Sequence, residues 1–123
     1  MSEGLIIDDN RQTADALNQM LDVLDFKTRL AYGSSAAMDV LGAGFLPQFI
    51  CLDINMPGVD GTEVLAYLRR EPKLANIPVF VITSDDQPET RQKVMGLGAT
   101  ALIIKPATID SLEAALKKAK LLA

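Results

Sequence analysis

Four short runs in this chain are apolar without interruption, and each stops at a residue equipped for chemistry. Leu5-Ile6-Ile7 stops at Asp8-Asp9, Phe49-Ile50-Cys51-Leu52 at Asp53, Val79-Phe80-Val81-Ile82 at Thr83-Ser84, and Leu102-Ile103-Ile104 at Lys105-Pro106. A run with no alternation turns both faces from water, as strands do in a parallel sheet covered by helices on both sides. Phe26 to Ala31 alternates instead, with Lys27 and Arg29 between Phe26, Thr28 and Leu30, and so suits a sheet edge.

The intervening stretches carry helical spacing. Asn10 can cap a helix that places Ala14, Leu17, Leu21 and Leu24 on one face and Arg11, Asp15, Asn18 and Asp22 on the other. Ser34 or Ser35 opens a second helix, which ends around Gly42 and Gly44. After the turn-rich loop Asn55-Met56-Pro57-Gly58-Val59-Asp60-Gly61, a third helix runs from Thr62 to Glu71, before Pro72. Pro88 starts a fourth, reaching about Leu97. Thr108 or Asp110 caps a fifth, with Ile109, Leu112 and Leu116 inward and Lys117, Lys118 and Lys120 at the end where cations favour the helix dipole. Cys51, Met38 and Met95 are assigned to core packing. Five strands alternating with five helices predict an α/β fold, a doubly wound five-stranded parallel sheet of (βα)5 form. Such a sheet takes its ligand beyond the carboxyl ends of the strands, where the winding reverses.

With 123 residues, one domain spanning 1–123 is expected, and a 49% hydrophobic content supports a real core. The net charge of -4 argues against direct binding of nucleic acid, which calls for a basic face. Met1-Ser2-Glu3-Gly4 has no basic leader and no apolar run approaches membrane-spanning length, so neither a signal peptide nor membrane insertion is expected. One cysteine cannot form an internal disulfide, which points to a cytoplasmic protein. Histidine is absent altogether, and with it the usual base near neutral pH and the commonest zinc ligand. Chemistry here must run on carboxylates, hydroxyls, lysine and a hard metal.

In a parallel sheet the four run ends share one edge. Asp8, Asp9 and Asp53 would repel one another there without a cation, and an all-oxygen cluster with open positions suits Mg²⁺. Lys105 adds a positive charge and Thr83 a hydroxyl donor. Such a set can stabilise charge on the equatorial oxygens of an in-line phosphoryl transfer. One carboxylate must then be the nucleophile, and Asp53 sits centrally.

The segments Ile6-Ile7-Asp8-Asp9-Asn10, Leu52-Asp53-Ile54-Asn55-Met56-Pro57 with Asp60-Gly61, Ile82-Thr83-Ser84, and Gly98-Ala99 leading to Lys105-Pro106 resemble the response-regulator receiver family of two-component signalling. The resemblance covers essentially the whole chain, with its motifs in order and at family spacing. It implies a flavodoxin-like fold with strand order 2-1-3-4-5. It also implies that Asp53 accepts the phosphoryl group, with Mg²⁺ held by Asp8, Asp9, Asp53 and the Asn55 carbonyl. By the same likeness Thr83, the Ser84 N–H, Lys105 and Asn55 attend the phosphoryl group, and the Lys105-Pro106 bond is cis. The implied partners are a sensor histidine kinase or histidine phosphotransfer protein, or a small acyl phosphate as donor, and an output protein of unknown kind. The implied activity is self-phosphorylation and dephosphorylation, not turnover of a separate substrate. Leu102 stands where the family usually has Tyr or Phe, and Ser84 where Ala or Gly is more frequent.

Blander readings exist for each residue alone. Asp8-Asp9 could cap the first helix, Asp53 could belong to a turn, Thr83 could cap the fourth helix, and Lys105 could be a surface lysine. A pseudo-receiver, binding a partner without phosphate, is the alternative that Leu102 keeps open. A haloacid-dehalogenase-type hydrolase wants a second aspartate where Asn55 stands, and a nucleotide-binding flavodoxin relative wants a phosphate loop where Asp8-Asp9 would repel phosphate.

Overall fold

A computed structural model describes residues 3–123, so Met1 and Ser2, and the reading of a leaderless start that includes them, lie outside the described residues. The elements in order are β1 (Gly4–Ile7), α1 (Arg11–Val23), β2 (Thr28–Ala31), α2 (Ser34–Gly42), β3 (Ile50–Leu52), β4 (Asn55–Met56), β5 (Val59–Asp60), α3 (Gly61–Arg70), β6 (Val79–Thr83), α4 (Pro88–Gly96), β7 (Ala101–Ile104) and α5 (Ile109–Lys118). Five strands form one sheet, ordered β2-β1-β3-β6-β7, with every pairing parallel. Counted within that sheet, the order is 2-1-3-4-5.

Strand side chains alternate between the two faces, and the core divides accordingly. Leu5, Ile7, Ile50, Leu52, Val79 and Val81 pack with Ala37 and Leu41 of α2, Val64, Leu65 and Leu68 of α3, and Val94 of α4. Ile6, Cys51, Phe80, Ile82 and Ile103 face Ala14, Leu17 and Leu21 of α1 and Leu112, Ala115 and Leu116 of α5. Phe49 anchors this second layer, edge-on to Phe26 at 5.7 Å and stacked on Phe80 at 5.6 Å between centroids. A side chain at Gly4 would put its Cβ 2.4 Å from the Phe49 ring, so any larger residue here would have to displace that buried ring.

Several local expectations need correction. The alternating segment becomes strand only from Thr28, because Asp25 adopts φ 68° and turns Phe26 onto Phe49. Of the two serines it is Ser34 that opens α2, behind a cap at Gly33, which has φ 118° and no side-chain bond. α3 begins at Gly61 and ends at Arg70, one residue earlier at each end than read. Thr108, not Asp110, caps α5, through a reciprocal pair of bonds with Ser111. Ile109 (39% exposed) and Met95 (36%) lie outside the core: Ile109 is the first residue of α5, ahead of its buried Leu112, and Met95 belongs to α4, which buries Val94 alone. The last strand, read as fully buried, is a sheet edge in which only Ile103 is buried.

Candidate functional site

Strand register brings the four run ends together. Ile7 pairs with Leu52, Leu52 with Val81, and Thr83 with Ile104, so Asp8, Asp53, Thr83 and Lys105 all emerge at one edge. Asp8 and Asp53 are buried there, while Asp9 is exposed at the mouth. One carboxylate oxygen from each of the three lies within 4.8 Å of the others. The Lys105 ammonium donates to Asp8 Oδ2 at 3.2 Å and to Asp53 Oδ2 at 3.3 Å, so a single cation bridges the two buried carboxylates.

Burial pushes the Asp8 carboxyl above its usual range. The Asn10 N–H bond to Oδ1 and the Lys105 charge oppose that shift, and the Asp53 charge adds to it. Asp8 therefore closes a turn onto Asn10, and Asn10 Oδ1 accepts from the Thr13 N–H to cap α1. The cap reading and the site reading apply to different residues: Asn10 caps, and Asp8 and Asp9 face the cluster.

Across the cluster, Asn55 donates its backbone N–H to Asp53 Oδ1 at 3.0 Å and its side-chain amide to Thr83 Oγ1 at 2.9 Å. Thr83 is fully buried at the end of β6. Its carbonyl accepts from the Lys105 N–H at 2.8 Å, which ties the fourth and fifth strand ends together. Ser84 is exposed beside it. The Lys105-Pro106 peptide is cis. A groove of about 420 Å³ between α1 and the β7–α5 connection opens beside Lys105, lined by Gln12, Thr13, Leu17, Met20 and Pro106.

Two features were not legible in the sequence. The turn-rich loop after Asp53 contains a small antiparallel hairpin, β4 with β5, which closes through Gly58 at φ 72°. Gly61 then passes so close beneath the acceptor loop that a Cβ would lie 2.3 Å from Ile54 Cα and 2.9 Å from the Asp53 carbonyl. The Asp60-Gly61 pair was the only signal of that approach. Asp60 Oδ1 accepts from the Thr62 N–H and hydroxyl, which caps α3 against the back of the loop.

Three carboxylates offering oxygen donors only, two of them bridged by one ammonium, fit a hard divalent cation such as Mg²⁺. Lys105 and Thr83 supply the positive charge and the hydroxyl that a phosphoryl group's oxygens require.

Comparison with known proteins agrees with this geometry. The family model described as response regulator receiver domain matches residues 5–117. The probable methanogenesis regulatory protein FilR2 of Methanothrix harundinacea is 28% identical, over 94% of this chain and 79% of its own length. Response regulator MprA of Mycobacterium avium is 29% identical over 92% of this chain, which spans only 48% of that relative. Among solved structures, the signal receiver domain of a DNA-binding response regulator from Colwellia psychrerythraea is 31% identical with a TM-score of 0.87, covering 96% of this chain and 97% of that one.

Proposed function

The chain belongs to the response regulator receiver domain family of two-component systems, and from that premise we propose that residues 1–123 are a single phosphoacceptor domain that takes a phosphoryl group onto Asp53. The observation that carries this reading is the Lys105 ammonium, 3.2 Å from Asp8 and 3.3 Å from Asp53 at the edge where Thr83 also ends its strand.

In the proposed step an Asp53 carboxylate oxygen attacks phosphorus. The new O–P bond forms as the N–P bond to a phosphohistidine of a sensor histidine kinase or histidine phosphotransfer protein breaks, and the imidazole leaves. With an acyl phosphate as donor, the carboxylate leaves instead. Lys105 turns from Asp53 to an oxygen of the arriving group, and the Thr83 hydroxyl and Ser84 N–H donate to the others. Asp8, Asp9, Asp53 and the Asn55 carbonyl would hold Mg²⁺, which when bound neutralises the carboxylates and the phosphoryl charge. The groove beside Lys105 gives a partner's histidine a way in between α1 and Pro106.

The phosphoryl group adds roughly -1.5 to -2 charges, which biases a two-state domain toward a form that binds an output protein. The reaction is on the domain itself, so no separate substrate is turned over. Among the described residues, no helix is long and apolar enough to cross a membrane, and a cytoplasmic setting accords with the donor kinase. The phosphate-independent binding module is not favoured, because Asp8, Asp53, Thr83 and Lys105 emerge at one sheet edge with Asp9 beside them, a set that such a module has no need of.

Acetyl phosphate with Mg²⁺ should add one phosphoryl group, read as an intact-mass shift, and EDTA should abolish it. Asp53→Ala labelled to the same extent as the parent chain would sink the assignment.

A further inference from the structure

Thr83 Oγ1 accepts two hydrogen bonds, from Asn55 Nδ2 at 2.9 Å and from the Asp85 N–H at 3.2 Å. A threonine hydroxyl has two lone pairs and one hydrogen. With both lone pairs engaged, only the O–H is left, and among the described residues no acceptor receives it. Thr83 is fully buried, so its hydrogen has no bulk water to fall back on. A buried donor without an acceptor is costly to leave unmet, and it is therefore poised for an arriving one.

Asn55 reaches both ends of the reaction. Its backbone N–H donates to Asp53 Oδ1 at 3.0 Å, and its side-chain amide donates to Thr83. One residue thus sets the phosphoacceptor and the hydroxyl relative to each other.

We propose that Asn55 is a positioning residue for the transfer: its side-chain amide fills a lone pair of the Thr83 hydroxyl, so that this group can only donate, and its free hydrogen meets the phosphoryl oxygen. The proposal rests on the receiver reading above and deepens it. Asn55 acts through Thr83 and does not itself touch the reacting atoms by this amide. An exposed loop asparagine with an incidental bond, or one acting by bulk at the mouth, gives different kinetics.

The test is a double-mutant cycle on the initial rate of Mg²⁺-dependent labelling by acetyl phosphate, with folding checked by thermal melts. Thr83→Val keeps the shape and removes the hydroxyl, and should slow labelling by roughly 10²-fold, the scale of losing one donor to developing charge. Asn55→Ala should slow the parent by about 10-fold, since the hydroxyl is kept but its direction is lost. In the Thr83→Val background the same Asn55→Ala change should cost less than about twofold, because there is no hydroxyl left to orient. Asn55→Asp, which turns the donor into an acceptor, should be slower than Asn55→Ala in the parent, and its excess should shrink in the Thr83→Val background. If Thr83→Val does not fold, Thr83→Ala takes its place.

A spectroscopic arm needs neither metal nor phosphoryl donor. One Asn55 side-chain amide proton should move upfield in Thr83→Val as its acceptor disappears. Equal Asn55→Ala factors in the two backgrounds, or an unslowed Asn55→Ala, overturn the positioning role while Asp53-dependent labelling of the parent leaves the receiver reading standing. A parent chain that takes no label on Asp53 overturns both.

Discussion

Single residues at this site hold their positions through short local bonds, and Asp60 is the clearest to test. Its carboxylate accepts from the Thr62 hydroxyl at 2.6 Å and the Thr62 N–H at 2.9 Å, and these bonds hold its carboxyl below the usual 3.8. A depressed folded value contributes stability that is fully present above the unfolded value and is lost as pH falls through the folded one. Asp60→Ala should therefore lower stability by about 1 kcal/mol at neutral pH through loss of the α3 cap. The gap to the parent should begin to shrink once pH drops below 3.8, and urea unfolding at about pH 7 and about pH 3 checks it. A gap that is constant with pH would mean that the carboxylate charge has no part in the cap. Next to it, Gly61 has no substitute, because a Cβ there would meet Ile54 Cα at 2.3 Å and the Asp53 carbonyl oxygen at 2.9 Å, backbone atoms of the acceptor loop that cannot swing aside.

Among the elements, α4 is the one least tied to the core. It buries Val94 alone, exposes Met95 and ends in Gly96. Its start is held by Asp85, whose carboxylate accepts from the Gln87 N–H at 3.0 Å and the Thr90 hydroxyl at 2.6 Å, while the Asp85 N–H donates to Thr83. Those two bonds keep the Asp85 carboxyl below its usual value. Donation by the Thr83 hydroxyl to a phosphoryl group would pull on the Asp85 N–H that shares its oxygen and loosen the first turn of α4. Leu102 offers no aromatic ring to carry the change instead. Amide hydrogen exchange with and without beryllofluoride and Mg²⁺ should show its largest changes outside the site in residues 86–97 and at the start of β7. A response confined to the loops around Asp53 would mean that the phosphoryl group is not read out through this face.

For the whole molecule, the site concentrates negative charge that a cation would relieve. Three carboxylates have oxygens within 4.8 Å of one another and one lysine bridges only two of them, Asp8 and Asp53, which leaves excess negative charge at the sheet edge. Mg²⁺ held by this cluster would bind only the folded arrangement, so it should raise the Tm, by about 2.7 kcal/mol of stability at a hundredfold excess over its Kd, and EDTA should reverse the gain. Asp9→Ala should abolish most of that response and raise the metal-free stability by about 0.5 kcal/mol, a modest gain because Asp9 is exposed and its charge is screened. An undiminished Mg²⁺ response in Asp9→Ala would remove this carboxylate from the metal site.

The unbroken apolar runs alone determined the architecture. A strand with no polar face must be covered twice, and four such runs ending in Asp8, Asp53, Thr83 and Lys105 place the chemistry at one edge whatever the details. The sequence also limited the chemistry to oxygen, lysine and metal, because there is no histidine. Only the tertiary structure decided which neighbours each group would keep. That Lys105 spans Asp8 and Asp53, 97 and 52 residues away, is a result of parallel pairing between distant strands. That Asn55 turns its amide on Thr83 follows from the hairpin at Gly58 and the close passage of Gly61, neither of which has a hydrophobic period to reveal it. Local patterning records which face of a segment is buried, but hydrogen-bond partners far apart in sequence are set by packing, and a single chain carries no trace of them until it folds.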